Sequence, residues 1–71
     1  MPQNIRKLVG LRIRKLREDK GWSQEKLAEK ADLHRTYIGQ VERGEKNIGI
    51  ENLVRIAQAI GSKTATLVAG L

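Results

Sequence analysis

One short run of the chain holds most of the side chains that could do chemistry: His34, Arg35, Thr36, Tyr37, Gln40, Glu42 and Arg43. Arginine donates several fixed hydrogen bonds, glutamine both donates and accepts, and the hydroxyls of threonine and tyrosine do either. Groups of this kind suit the recognition of a polar surface. His34 is the single histidine, with no acid–base partner at a readable spacing, and a catalytic role is not expected of it. Between Trp22 and Gly44, residues Leu27, Ala31, Leu33, Ile38 and Val41 fall at helical spacing and point inward. They read as two short helices joined by a tight turn, about 24–43, and the second presents Arg35, Thr36, Tyr37 and Gln40 at its start. That is the geometry for pushing side chains into a groove of DNA.

The elements that must position this stretch are few. With 71 residues there is room for one domain, 1–71, and a domain of that size buries only about 60% of its unfolded surface. It has no cysteine for disulfides and no plausible zinc ligand set, so helix packing or a partner subunit must supply stability. Fourteen Lys and Arg stand against eight Asp and Glu, a formal charge of +6. The pI near 10.2 suits a polyanionic partner. Charge alone is equally compatible with an inert basic surface. No apolar run reaches the ~18 residues of a membrane span, and nothing at the N-terminus resembles a signal peptide, so a cytoplasmic location is expected.

In chain order, residues 1–4 are expected to fray, with Asn4 a candidate cap. A first helix carries a stripe of Ile5, Leu8, Val9, Ile13 and Leu16, with Leu11 off it and basic residues on the other faces. Lys20-Gly21 ends it. Ser23 is the N-cap candidate for the second helix, with Trp22 and Leu27 placed as a hydrophobic staple. Lys26 leaves the capping box incomplete. Ala28 suits a close helix crossing, and Asp32 sits where the tight turn needs positive φ. The third helix is expected over about Arg35 to Arg43, with Gly44 as its stop and His34 a poor cap. A fourth runs from Ile50 to Ile60, with an apolar face wider than one core needs, and a short fifth covers about Thr64 to Ala69. No strand-length alternation occurs, so the fold is expected to be all-α with five helices.

The run R-I-R-K-L-R at 12–17, G-W-S-Q at 21–24, L-A at 27–28, E-R-G at 42–44 and L-V-R-I-A-Q-A-I-G at 53–61 together resemble the lambda-repressor-like (Cro/C1, XRE-type) helix-turn-helix family. Within it, H-R-T-Y-I-G-Q-V-E-R-G-E-K-N-I is most similar to the controller proteins of restriction-modification systems. The family usually has Gly at the turn, where this chain has Asp32. The resemblance implies that the start of the third helix enters the major groove. Arg35 would then pair with guanine and Gln40 with adenine. Thr36 would meet a thymine methyl or a phosphate. Tyr37 would pack on a thymine methyl or sugar, or else sideways on the protein. Ser23, Gln24, Arg43, Lys46 and Asn47 are the matched positions for the DNA backbone, Ser23 also serving as a cap. Glu42 is acidic beside this surface, and the resemblance implies that it pairs with Arg17 and locks the third helix to the first.

A single such domain contacts few base pairs, and a homodimer on a palindromic site is expected. Its interface is expected at the end of the fourth helix and in the last, at Ile60, Val68 and Leu71. The implied function is a sequence-specific transcription regulator, activator or repressor. The implied partners are double-stranded DNA, a second copy of the chain and, as a further candidate, RNA polymerase, with no cofactor, metal or membrane. An antitoxin or adaptor-type interaction module with secondary DNA binding is the competing reading; such proteins usually append a partner-binding segment, and none is evident here. A membrane-surface role for the basic first helix ranks low, since its apolar stripe is needed for the core. An enzyme ranks lowest, because the chain has no metal cluster, Gly-rich phosphate loop or Ser/His/Asp arrangement.

Overall fold

The structure, a computed structural model, describes residues 4–71. Expectations about residues 1–3 lie outside it. Five helices follow in order: α1 (Ile5–Asp19), α2 (Gln24–Ala31), α3 (Arg35–Glu42), α4 (Ile50–Ile60) and α5 (Thr64–Val68). No strand occurs among the described residues. The boundaries of α3 and α5 each fall one residue short of the expected end.

Local chemistry explains most of the boundaries. Ser23 is extended and its hydroxyl accepts a hydrogen bond from the Lys26 N–H at 3.0 Å, which starts α2. Asp32 ends it in the left-handed conformation, φ 58° and ψ 47°, where a Cβ is tolerated at some cost. Leu33 N–H then bonds back to Ala28 C=O at 2.9 Å, closing the turn before α3. Asn4 and His34 precede α1 and α3 without a side-chain capping bond.

One core gathers residues from all five helices: Val9 and Ile13 of α1, Leu27, Ala28 and Ala31 of α2, Ile38 and Val41 of α3, Leu53, Ile56, Ala57 and Ile60 of α4, and Leu67 of α5. Two expectations fail here. Ile5 and Leu8 are exposed rather than part of the α1 stripe. The buried face of α1 begins at Val9 and continues through Gly10, Ile13 and Arg17. The second correction concerns Ile60. It is only 4% exposed and sits in the chain's own core, which leaves it no apolar surface to offer a second copy. Val68 and Leu71 do remain exposed, as does Ile50 at the start of α4.

α1 backs onto α3 without a spacer. Gly10 of α1 is buried, and a Cβ there would meet the carbonyl oxygens of Val41 and Glu42, the latter at 2.6 Å. One turn earlier, Gly44 turns the chain out of α3 with φ 76° and lies so close to Lys7 that a Cβ would stand 2.9 Å from its Cα. The rear of α3 is therefore held backbone to backbone, and its opposite face is left outward. From the middle of α1, Arg12 Nη1 donates to Ala69 O at 2.7 Å and to Leu67 O at 3.2 Å, tying α5 to α1.

Candidate nucleic-acid interface

Arg35 and Thr36 open α3 and are exposed. Arg35 has no ion-pair partner among the described residues. Gln40 lies one turn after Thr36 on the same side of the helix and is half-buried. Ile38 and Val41, on the other side, are buried in the core, so the helix has a fixed rear and a polar front. Tyr37 takes the sideways option. Its ring packs against the core and its hydroxyl accepts a hydrogen bond from Asn52 Nδ2 at 3.1 Å. That contact bridges α3 to α4, and Asn52 carried no signal in the sequence.

The residues expected at the DNA backbone fall at the start of α2, at the end of α3 and on the loop that follows it. Lys46 and Asn47 are exposed on the loop between α3 and α4. Gln24 departs from expectation: its side-chain amide donates to Glu42 Oε1 at 3.0 Å and so is turned toward the protein. The first N–H groups of α2, which have no intrahelical acceptor, remain beside it with the positive end of the helix dipole. Arg43 is exposed, but its guanidinium is held by Glu45, Nε to Oε2 at 2.8 Å and Nη2 to Oε1 at 3.2 Å. Each of these two groups stabilises the ionised form of the other. The hydrogen bond raises the pKa of Arg43 and holds the Glu45 carboxyl below its usual range.

Behind the front lies a closed polar network. Arg17 Nε donates to Glu42 Oε2 at 2.7 Å and Arg17 Nη2 to Glu42 Oε1 at 2.9 Å, a two-bond fork between α1 and α3. Arg17 Nη1 donates to Trp22 O at 2.7 Å, so the loop before α2 is fastened to the same guanidinium. Both partners are buried. The hydrogen bond to Glu42 outweighs burial and raises the Arg17 pKa. With Gln24 added, one carboxylate joins α1, α2 and α3 behind the reader residues. No buried side-chain polar atom among the described residues lacks a partner, which is the condition for such a network to stabilise rather than cost.

These features define a class: a short rigid helix, polar at its exposed start, fixed from behind by core and ion pair. A model of the helix-turn-helix family matches residues 13–67, and the chain belongs to that family. It is a DNA-binding transcription regulator of the XRE type. More narrowly, it is 48% identical over 62 residues to the control protein C.BamHI of Bacillus amyloliquefaciens, a match covering 86% of this chain and 76% of that one. It is 39% identical over 64 residues to the control protein C.SmaI of Serratia marcescens, covering 90% and 76%. Among solved structures, the restriction-modification controller protein C.AhdI of Aeromonas hydrophila is similar with a TM-score of 0.86 at 40% identity, over 87% of this chain and 94% of that one. No helix among the described residues is long and apolar enough to cross a membrane, and no cluster of potential metal ligands occurs among them.

Proposed function

We propose that this regulator acts as a homodimer on a palindromic promoter site and controls the genes of a restriction-modification system. The observation that carries the DNA-reading part is the exposed start of α3, where Arg35 and Thr36 stand free on a helix whose rear is locked to α1. Arg35 is the proposed reader of guanine, Gln40 of adenine and Thr36 of a thymine methyl or a phosphate. Tyr37, tied to Asn52, contributes to the edge of the surface through its ring. Ser23, the start of α2, Arg43, Lys46 and Asn47 are proposed to hold phosphates, which set register without reading sequence. The names of the relatives support the restriction-modification context. Val68 and Leu71 are the proposed contacts between copies, and two-fold pairing would present half-sites about 34 Å apart. RNA polymerase is a further candidate partner, since a regulator at a promoter works beside it.

Selection from random duplex DNA tests this reading directly. The expected result is a two-fold symmetric site whose half-sites lie one helical turn or a multiple apart. Arg35→Ala should then lose about 1–3 kcal/mol of preference for that site while retaining salt-dependent binding to other duplexes. Recovery of no common site, or equal affinity of the wild type for selected and arbitrary duplexes, overturns sequence-specific regulation.

A further inference from the structure

The loop after α3 holds an exposed ion pair that the reading of the front does not need. We propose that Glu45 sets the strength of DNA binding by occupying Arg43 in the free protein, its carboxylate standing where a DNA phosphate would stand. The inference rests on the proposed function and adds a residue that opposes it.

Three observations carry it. The first is place. A Cβ on Gly39 would lie 3.1 Å from Arg43 Nη1 and 3.4 Å from Gln24 Oε1, so the Arg43 guanidinium lies along α3 over Gly39, next to the first residue of α2. It borders the reader residues and the start of α2 together. The second is geometry. Glu45 engages Arg43 through two bonds, one to each carboxylate oxygen, the fork that a guanidinium offers to carboxylate and phosphate alike. The third is that the backbone builds this arrangement. Glu45 N–H donates to Gln40 O at 2.8 Å, and Gly44, pressed on Lys7, fixes the turn between the pair. Glu45 is thus directed back at Arg43 by the chain itself.

The pair is open to water on both sides, with side-chain exposures of 58% and 53%. Such pairs are weak and exchange easily. Duplex DNA offers one negative charge per ~1.7 Å of its axis, a far denser array of acceptors than one carboxylate. Arg43 would leave Glu45 for a phosphate, and Glu45 would then face the polyanion without its partner. Binding therefore gains one phosphate contact at the cost of the Arg43–Glu45 pair, so the contact is worth less than one made by a free arginine.

Fluorescence-anisotropy titrations with wild type, Glu45→Gln, Arg43→Ala and the double variant test this, on an arbitrary duplex and on the duplex recovered by selection, at several salt concentrations. Glu45→Gln should bind both duplexes about two- to fivefold more tightly, by the same factor, because the effect lies at the backbone. Its advantage should shrink as salt rises, because salt screens the exposed pair that the wild type must break. Most of the gain should vanish when Arg43 is already Ala. Unchanged or weaker binding by Glu45→Gln overturns the proposal. So does a gain equal or larger in the Arg43→Ala background, which would make Glu45 a general repulsive charge. Should the wild type bind neither duplex, the functional reading itself fails, and the inference with it.

Discussion

Glu42 and Arg43 are neighbours in sequence, and each belongs to an Arg–Glu fork. The distances are nearly alike: 2.7 and 2.9 Å between Arg17 and Glu42, 2.8 and 3.2 Å between Arg43 and Glu45. What differs is water. The inner pair leaves 10% and 2% of its side chains exposed, the outer pair 58% and 53%. Bond geometry alone therefore does not distinguish a strut from a detachable contact. Removing one partner from a dry site strands a charge that was already stripped of solvent. Removing one from a wet site leaves a charge that water and salt accommodate at once. The end of α3 uses both: one residue facing inward fixes the reader helix, and the next, facing outward, stays available to a ligand.

The strongest way to break this comparison is Glu42→Ala. Deleting one member of a buried pair commonly costs about 3–5 kcal/mol. The lower end applies here, because Arg17 keeps its bond to Trp22 O and has Glu18 Oε2 within 4.0 Å. Even ~3 kcal/mol is a large share of the roughly 4–10 kcal/mol that a domain of this length holds, so the melting temperature should fall by roughly 12–24 °C. DNA binding should weaken with it, since Gln24 loses its acceptor and α3 its tie to α1. A melt within a few degrees of wild type would mean the inner pair is no strut.

Gly10→Ala tests the same rear face through packing. The added methyl would meet backbone carbonyls of Val41 and Glu42, which cannot swing aside as a side-chain end would. Overpacking costs about 1–3 kcal/mol, against about 1 kcal/mol that Ala returns over Gly in a helix. Because the clash is with backbone, the upper end of that range applies, and a net loss of about 2 kcal/mol is expected by thermal or urea melts. Affinity for DNA should fall further than the loss of folded protein explains, because α3 must move away from α1. A variant as stable as wild type would show that α1 and α3 are not in fixed register.

The inner half of this comparison is anticipated through family resemblance, and the outer half is not anticipated at all. Helical spacing located α2, α3 and α4, and Ser23, Asp32 and Gly61 marked ends that the structure places within a residue. The Arg17–Glu42 fork was implied by family resemblance, since no spacing rule links positions 25 residues apart. Ile60 went wrong because a helix face wider than one stripe does not reveal which edge a fifth helix will cover; Leu67 and Ile60 share one core. Ile5 and Leu8 differ from expectation because periodicity reports a face and not how much of it becomes covered. Tyr37–Asn52, Gln24–Glu42 and Arg12 on the carbonyls of α5 depend on side-chain reach across helices. The Arg43–Glu45 pair had a local signal after all: opposite charges two apart around a Gly that must turn.

The smallest expected effect sharpens the contrast most. Arg43 holds the Glu45 carboxyl below its unfolded range, chiefly through their hydrogen bond. A carboxyl whose pKa is depressed by folding contributes stability above its unfolded pKa and loses it as pH falls through the folded value. Any deficit of Glu45→Gln in melting temperature should thus be small at neutral pH and vanish in acid. It should vanish as well in ~1 M salt, where the screening length drops to about 3 Å. The deficit of Glu42→Ala should survive that salt, since buried charges are little screened. Melts of the two variants side by side, at low and high salt, read both statements at once. A large deficit of Glu45→Gln that persists in high salt would make the outer pair structural. Arg43 could not then exchange its partner for a phosphate, and the distinction between the two forks would fall.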